Sequence, residues 1–226
     1  MKKMRKRSVL WATAALVGGL LFFWLVVLKL ASKWMGGYGG PCPSALSWLV
    51  DNPIRRRYTR PVLDRVGIQP GETVLEVGPG PGAFTVDAAR RVEPGGKVFA
   101  VDIQPKMIAK LEQRLQAAEV TNVEARVASA YDLPVEDHTV DRAFLITVLP
   151  EIPDPVRALR EIRRVLRPGG LLSVTEEFTD PDYPLRRTTI RWAEAAGFRL
   201  EERYGNLWVY TLNFRSRSYG PSIAGR

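Results

Sequence analysis

The chain has 226 residues, with 33 lysines and arginines against 24 aspartates and glutamates, and a formal net charge of +9. That length suits one ordinary domain with a segment to spare, and 46% apolar with 25% charged residues excludes global disorder. A single cysteine excludes an internal disulfide framework and a cysteine-cluster zinc site, and one histidine leaves little scope for imidazole metal ligation.

The charge is unevenly placed. Residues 1–33 hold Lys2, Lys3, Arg5, Lys6, Arg7, Lys29 and Lys33 and no acid, a local charge of +7. The other 193 residues carry 26 basic and 24 acidic side chains, so they contribute only +2. A basic stripe across the domain, the usual footprint of a nucleic-acid binder, is therefore missing, and no nucleic-acid partner is expected. The cations bracket Val9–Leu28, a run of 20 residues without a charge. As a helix this run covers about 30 Å, the thickness of a bilayer's hydrocarbon core. Trp11 and Trp24 near its ends, with Trp34 beyond, suit interfacial anchoring. The run is longer than a signal-peptide core and no small-x-small cleavage site follows it. It is read as an uncleaved, single-pass transmembrane helix with the lipid bilayer as partner.

Residues 35–43 (MGGYGGPCP) read as a linker. Ser44 can N-cap a short helix, Ala45–Val50, and an amphipathic helix over Ile54–Val66 is expected after Pro53. With Trp48, Leu49 and the Arg55–Arg57 cluster, this region either lies on a lipid surface or caps the domain with solvated arginines.

From Gly71 onward short apolar runs alternate with helical stripes. Strands are predicted at Thr73–Val77, Val98–Val101, Val123–Val127, Val140–Val148 and Leu171–Thr175. Helices are predicted at Phe84–Arg91, along the stripe Met107, Ile108, Leu111, Leu115 and Ala118, and along Val156, Leu159, Ile162, Val165 and Leu166 up to Pro168-Gly169-Gly170. A further helix spans Arg187–Ala196, and two last strands, Phe198–Tyr204 and Leu207–Phe214, meet at a two-residue Gly205-Asn206 turn. Alternating strands and helices imply a doubly wound parallel α/β sheet, and the closing hairpin adds an antiparallel edge.

Ligands of such sheets bind beyond the carboxyl ends of the strands. There the chain carries a glycine-rich turn, Val77-Gly78-Pro79-Gly80-Pro81-Gly82, ahead of a helix, and Asp102 ends the next strand, where a carboxylate can accept both hydroxyls of a ribose. Gly78, Gly80 and Ala83 also fit the dinucleotide fingerprint, with Asp102 on a NAD ribose. Glu76, directly before the glycines, tilts the choice. Its charge repels a pyrophosphate and attracts an ammonium, and a nucleoside bearing an amino acid is S-adenosylmethionine.

Four blocks carry a resemblance: Val74–Gly82 (VLEVGPGPG), Val98–Ile108 (VFAVDIQPKMI), Asp132–Asp141 (DLPVEDHTVD) and Leu149–Glu176 (LPEIPDPVRALREIRRVLRPGGLLSVTE). Over roughly residues 60–214 the chain resembles the class I S-adenosylmethionine-dependent methyltransferases, within them the branch of the quinone-biosynthesis C-methyltransferases. The resemblance implies a Rossmann-like, seven-stranded sheet with its last strand antiparallel. It places Glu76, Gly78, Pro79, Gly80 and Gly82 on the methionine moiety, Asp102 on the ribose and Ile103 on the adenine. Relatives often hold the adenine amine with an Asp after the third strand. Here the chain reads Ala128-Ser129-Ala130, so Ser129 with Ala130 takes that place, or Asp132 substitutes. Thr147 to Glu151 line the meeting place of donor and acceptor, and Glu151 is the candidate base. His138 reads as solvated, the strand-ending pair Glu176-Glu177 either faces the acceptor or, as is commoner for strand-end acids, is solvated, and Tyr183, Trp208 and Tyr210 either wall the acceptor site or belong to the core. Cys42 reads as a structural thiol.

The resulting expectation is a membrane-anchored methyltransferase acting on a small, lipophilic or membrane-associated acceptor such as a quinone precursor or a lipid. The alternatives are a NAD-dependent oxidoreductase on the same fold and a non-catalytic, membrane-tethered nucleotide-binding protein. The expected domains are 1–34 (basic N-terminus and transmembrane helix), 35–66 (linker and capping helices), 67–214 (methyltransferase) and 215–226 (tail). Five cations before the span against two after it favour a cytoplasmic N-terminus. A cofactor made and held inside cells instead puts the catalytic domain on the cytoplasmic side, and that is the expected localisation.

Overall fold

The computed structural model describes residues 16–20, 23, 55, 59, 61–180 and 182–216. The chain divides into two units, Met1–Tyr38 and Gly39–Arg226. In the first, residues 16–20 and 23 are helical and exposed. Among the described residues no helix is long and apolar enough to cross a membrane. Most of the expected span Val9–Leu28 lies outside the described residues, as do the linker, the Ser44-capped helix and Cys42.

In the second unit, short runs rich in valine and leucine become strands because both of their faces can be covered. These are β1 (Thr73–Val77), β2 (Lys97–Asp102), β3 (Val123–Val127), β4 (Val140–Ile146), β5 (Leu166–Glu177), β6 (Phe198–Gly205) and β7 (Val209–Ser216). They form one seven-stranded sheet in the order β3-β2-β1-β4-β5-β7-β6. β1 to β5 pair in parallel, and β7 runs antiparallel to both β5 and β6. The helices are α1 (Val62–Val66), α2 (Thr85–Arg91), α3 (Pro105–Ala117), α4 (Pro155–Val165) and α5 (Arg186–Ala195).

The two-residue period of the strands sorts the core into layers. Leu75, Val77, Leu145 and Val174 face α4 and α5, where Leu159, Ile162 and Ala193 are buried. Val74, Val98, Phe144 and Ile146 face α1 and α2, packing on Leu63, Val66, Ala88 and Ala89. Ala100 packs on Ile108, Leu111 and Leu115 of α3. Each fully buried Val, Leu or Ile contributes about 1.5–3 kcal/mol, so these layers hold the sheet edge that carries the site.

Several boundaries differ from expectation, each for a local reason. The single helix over Ile54–Val66 is interrupted: Arg55 and Thr59 are helical, but Pro61, which has no N–H to donate, N-caps a separate helix α1. β4 stops at Ile146 rather than Val148, because Thr147 takes a left-handed conformation, φ 56°. β5 runs past Leu171–Thr175 in both directions. A register shift beside Val140 and Arg142 absorbs Pro168-Gly169-Gly170, and pairing of Glu177 with Val209 extends the far end. The closing hairpin has three loop residues, Asn206–Trp208, because Asn206 Oδ1 accepts the Trp208 N–H at 2.8 Å. Arg215 and Ser216, expected in the tail, belong to β7, where Arg215 pairs with Leu171.

The sheet's outer strands are charged. β3 carries Glu124 and Arg126, ion-paired at 2.8 Å. β6 is kinked by a bulge between Leu200 and Glu202, and its Glu201 meets Arg215 at 2.7 Å.

Candidate active site

The chain order of the strands reverses beside β1, with β2 on one flank and β4 on the other. Crossovers leave opposite faces there, so a cleft opens at the carboxyl ends. It encloses about 1060 Å³ counting its open mouth, lined by the loops after β1, β2, β3 and β4.

The glycine turn is bent by positive φ angles of 72° at Gly78, 55° at Gly80 and 82° at Gly82. A Cβ on Gly78 would stand 2.5 Å from a Val148 methyl, and one on Gly82 would stand 2.6 Å from Leu111 Cδ1. Glycine therefore lets the turn press against the segment after β4 and against α3 at the same time. Gly80 is different: a Cβ there meets no protein atom within 4 Å, so its backbone faces open space. The Gly80 N–H donates to Asp102 Oδ2 at 3.2 Å and the Gln104 N–H to Oδ1 at 2.8 Å. These bonds fix the carboxylate at the rim, where it is 8% exposed. Burial raises its pKa, the two amides working against the rise.

Glu76 lies under the turn, 3% exposed, and its Oε2 has no hydrogen-bond partner. Burial lifts its pKa to about 8, with the Thr85 hydroxyl opposing the rise and the Asp102 charge adding to it. The carboxyl is therefore largely protonated at neutrality, which corrects the sequence argument. Glu76 does not exclude a pyrophosphate by standing charge. It offers a dry acceptor atom that a cation or a strong donor would satisfy.

The remaining lining comes from three other loops. Ile103 is 60% exposed beside Asp102, a bare apolar face on the cleft wall. Ser129 and Ala130 line the cleft after β3, but Ser129 Oγ already accepts the Tyr131 N–H at 3.2 Å. Asp132 is exposed and is not part of the lining, so it does not take over from Ser129; Tyr131 lines the wall instead. Thr147 is a β-branched residue where φ 56° is strained. It is held there by its N–H bond to Thr175 O at 2.8 Å and by Arg55 Nη2 on its hydroxyl at 3.2 Å. Glu151 lines the cleft from a 3-10 turn, Leu149–Glu151.

Arg55 was not singled out as a site residue, and no spacing in the sequence separates it from its neighbours Arg56 and Arg57. It is neither solvated nor on a lipid surface. Buried at the cleft, it grips Glu177 through Nε at 3.1 Å and Nη2 at 2.6 Å, with Phe84's ring centroid 5.6 Å away. Glu176 and Glu177, read as solvated, are both buried. Neither oxygen of Glu176 has a hydrogen-bond partner, and burial holds its pKa well above the carboxylate range. Tyr210 is fully buried and gives its hydroxyl to Pro184 O at 3.0 Å, and Tyr183 gives its own to Leu207 O at 2.7 Å. Trp208 is 61% exposed, edge-on to Phe178 at 5.1 Å. None of these three aromatics lines the cleft. His138 lies exposed in its turn as read, its Nδ1 3.0 Å from Leu166 O.

Residues 75–174 match the model of a family described as a methyltransferase domain. The chain is similar to the ubiquinone/menaquinone biosynthesis C-methyltransferase UbiE of Hahella chejuensis, 36% identical over 138 residues, 61% of this chain and 55% of that protein. It is also similar to an arsenite methyltransferase of Halobacterium salinarum, 36% identical over 115 residues, 51% of this chain and 29% of the other. The chain spans about half the length, or less, of the first curated relatives it matches. A solved S-adenosylmethionine-dependent methyltransferase from Aquifex aeolicus shares the fold, with a TM-score of 0.72 at 24% identity, over 77% of this chain and 98% of that one. The match to a methyltransferase domain, the methyltransferase relatives and the shared fold imply S-adenosylmethionine as the cofactor.

The residues present fit that cofactor. An orphaned buried carboxyl oxygen on Glu76 matches an ammonium, the open backbone at Gly80 admits close approach, and Asp102 keeps lone pairs for a diol. When bound, the sulfonium supplies an electrophilic methyl group. The chain's own residues have to bind and orient it, exclude water, and hold the acceptor's proton.

Proposed function

We propose that the whole chain is a membrane-anchored S-adenosylmethionine-dependent methyltransferase acting on a small, membrane-associated acceptor. The observation that carries the reading is Glu76: a buried carboxyl with an unpartnered oxygen, directly beneath a glycine turn that is bonded to Asp102. Glu76, Gly78, Pro79, Gly80 and Gly82 hold the methionine moiety, Asp102 holds the ribose, and Ile103 packs on the adenine. Ser129 and Ala130 border the base, and Thr147 stands toward the methyl group. Glu151 meets the acceptor.

The charge-free run Val9–Leu28 between two groups of cations supports the anchor. Tethering raises the local concentration of a bilayer-borne acceptor, and the quinone-biosynthesis relatives supply one acceptor class to test, lipids another. The catalytic domain lies on the cytoplasmic side, where the methyl donor is made.

Calorimetry on the full-length protein in mild detergent tests the cofactor assignment. S-adenosylhomocysteine should bind and NAD should not; the opposite pattern would favour an oxidoreductase. Labelled donor incubated with a lipid extract should transfer its methyl group to an extractable product, and cofactor binding without transfer would favour a non-catalytic tether. Protease should spare the domain in intact cells; digestion from outside would refute the cytoplasmic placement.

A further inference from the structure

The turn joining β6 to β7 holds two large apolar side chains in the open. Leu207 is 72% exposed and Trp208 61%, and Leu185, beside the arginine that bonds this turn, is 65% exposed. Apolar residues scattered singly over a surface are ordinary, but a group of them marks a contact. The turn that carries them is firmly built. Of the six backbone N–H and C=O groups of Asn206, Leu207 and Trp208, five have partners within the protein. The Asn206 N–H donates to Val209 O at 2.9 Å and the Trp208 N–H to Asn206 Oδ1 at 2.8 Å. The carbonyls accept in turn from Arg186 Nη2 at 2.8 Å, the Tyr183 hydroxyl at 2.7 Å and the Phe178 N–H at 2.7 Å. The Phe178 ring braces Trp208 edge-on. A turn bathed in water can leave such groups to the solvent, whereas one that enters an apolar medium has to bond them internally. Residues 206–209 carry no charge. Register fixes where the tip lies. Glu177, at the carboxyl end of β5, pairs with Val209, so residues 206–208 project beyond the same end of the sheet as the loops that line the cleft.

We propose that the β6–β7 turn docks on a lipid bilayer, with Leu207 and Trp208 entering at the headgroup boundary and Leu185 beside them. Tryptophan suits that level because its ring is apolar and its indole N–H can reach a polar headgroup. The uncharged tip, with its backbone bonded inward, leaves little polar surface to strip of water there. A protein partner could supply hydrogen bonds of its own to such a turn; the acyl chains supply none, and the turn is built to need few. Docking by this tip turns the cleft end of the sheet toward the bilayer, from which a membrane-borne acceptor would come. The proposal rests on the membrane-associated reading above and adds to it a contact distinct from Val9–Leu28.

The test uses the full-length chain in phosphatidylcholine vesicles. In a Cys42→Ser background, which removes the single native thiol, Leu207→Cys carries a nitrobenzoxadiazole label. Glu136→Cys, exposed just before β4 at the opposite end of the sheet, is the control. A lipid bearing a nitroxide near the top of its acyl chain should quench the label at Leu207 about threefold more than the one at Glu136. Salt should not change that ratio, since the tip has no charge to screen. Trp208→Ser in the labelled protein should remove most of the difference while a thermal melt shows the fold retained. Equal quenching at the two sites, in protein that floats with the vesicles, overturns the proposal and leaves the anchor standing. Self-quenching between labels at Leu207 that rises with protein density, without lipid quenching above the control, assigns the tip to a second copy of the chain and also overturns it. Protein that does not float with the vesicles at all overturns the anchor and the docking together. The methyltransferase reading is tested separately, by cofactor binding, and is untouched by any of these results.

Discussion

Glu76→Gln isolates a single buried carboxyl whose effects on stability and on binding have opposite signs. The folded protein holds this proton to about pH 8, whereas the ordinary value is 4.5. Between those limits the unfolded chain binds fewer protons than the folded one, so stability falls as the pH rises through the window. It is fully present below 4.5 and spent by the time the pH passes about 8. At about 1.4 kcal/mol for each tenfold change in proton affinity, the cost of Glu76 is on the order of 3 kcal/mol near pH 7 and about 5 kcal/mol above pH 8. Glutamine has the same shape and does not titrate. E76Q should therefore match the wild type near pH 4.5 and become progressively more stable than it toward pH 9. Urea denaturation of both proteins across that range measures the gap, and Glu176, present in both, cancels from the difference. S-adenosylhomocysteine reverses the order, since its ammonium pairs with the wild-type carboxylate and E76Q should bind it about ten- to a hundredfold more weakly. A stability gap that stays flat from pH 5 to 9, or undiminished affinity in E76Q, would refute the assignment of Glu76 as a dry, unpaired acid.

Gly78→Ala puts a methyl 2.5 Å from Val148 at φ 72°, and should cost about 1–3 kcal/mol, with V148A restoring part of it in a double-mutant thermal-melt cycle. Asp102→Asn leaves one acceptor oxygen where two amides now bind, and calorimetry should show S-adenosylhomocysteine affinity falling about tenfold or more, with the fold retained. Arg55→Met removes the guanidinium that grips buried Glu177 and should destabilise by about 3–5 kcal/mol in chemical denaturation. The double variant R55M/E177M should recover most of that loss, because it removes both charges; no recovery would mean that Arg55 acts mainly through Thr147.

The sheet and the glycine-turn side of the cleft were legible because local chemistry dictates them. Period-two valines specify strands, and Gly78, Gly80 and Gly82 occupy backbone angles that other residues adopt at a cost. Asp102 was found because it ends a strand. The β4–β5 side of the cleft was harder to read, since it is built from long-range pairs. Arg55 and Glu177 are 122 residues apart, and nothing in an arginine cluster says which member is buried. Glu176 looked solvated because strand-end acids usually are, yet it pairs in register with Tyr210 of β7 and is buried. Ser129 lines the cleft as its place after the third strand suggests, while the local turn to Tyr131 takes up one of its two acceptor lone pairs. Val9–Leu28, legible as a charge pattern, falls largely outside the described residues.

The charged and bulged outer strands bear on crowding. An open sheet edge is a template for pairing with another chain, the more so where copies are crowded together. On β3 the Glu124–Arg126 pair, and on β6 the kink at Leu200/Glu202 with Glu201 held by Arg215, would force a docking strand to bury charge or follow a bend. Both features raise the cost of adding an eighth strand at either border of the sheet.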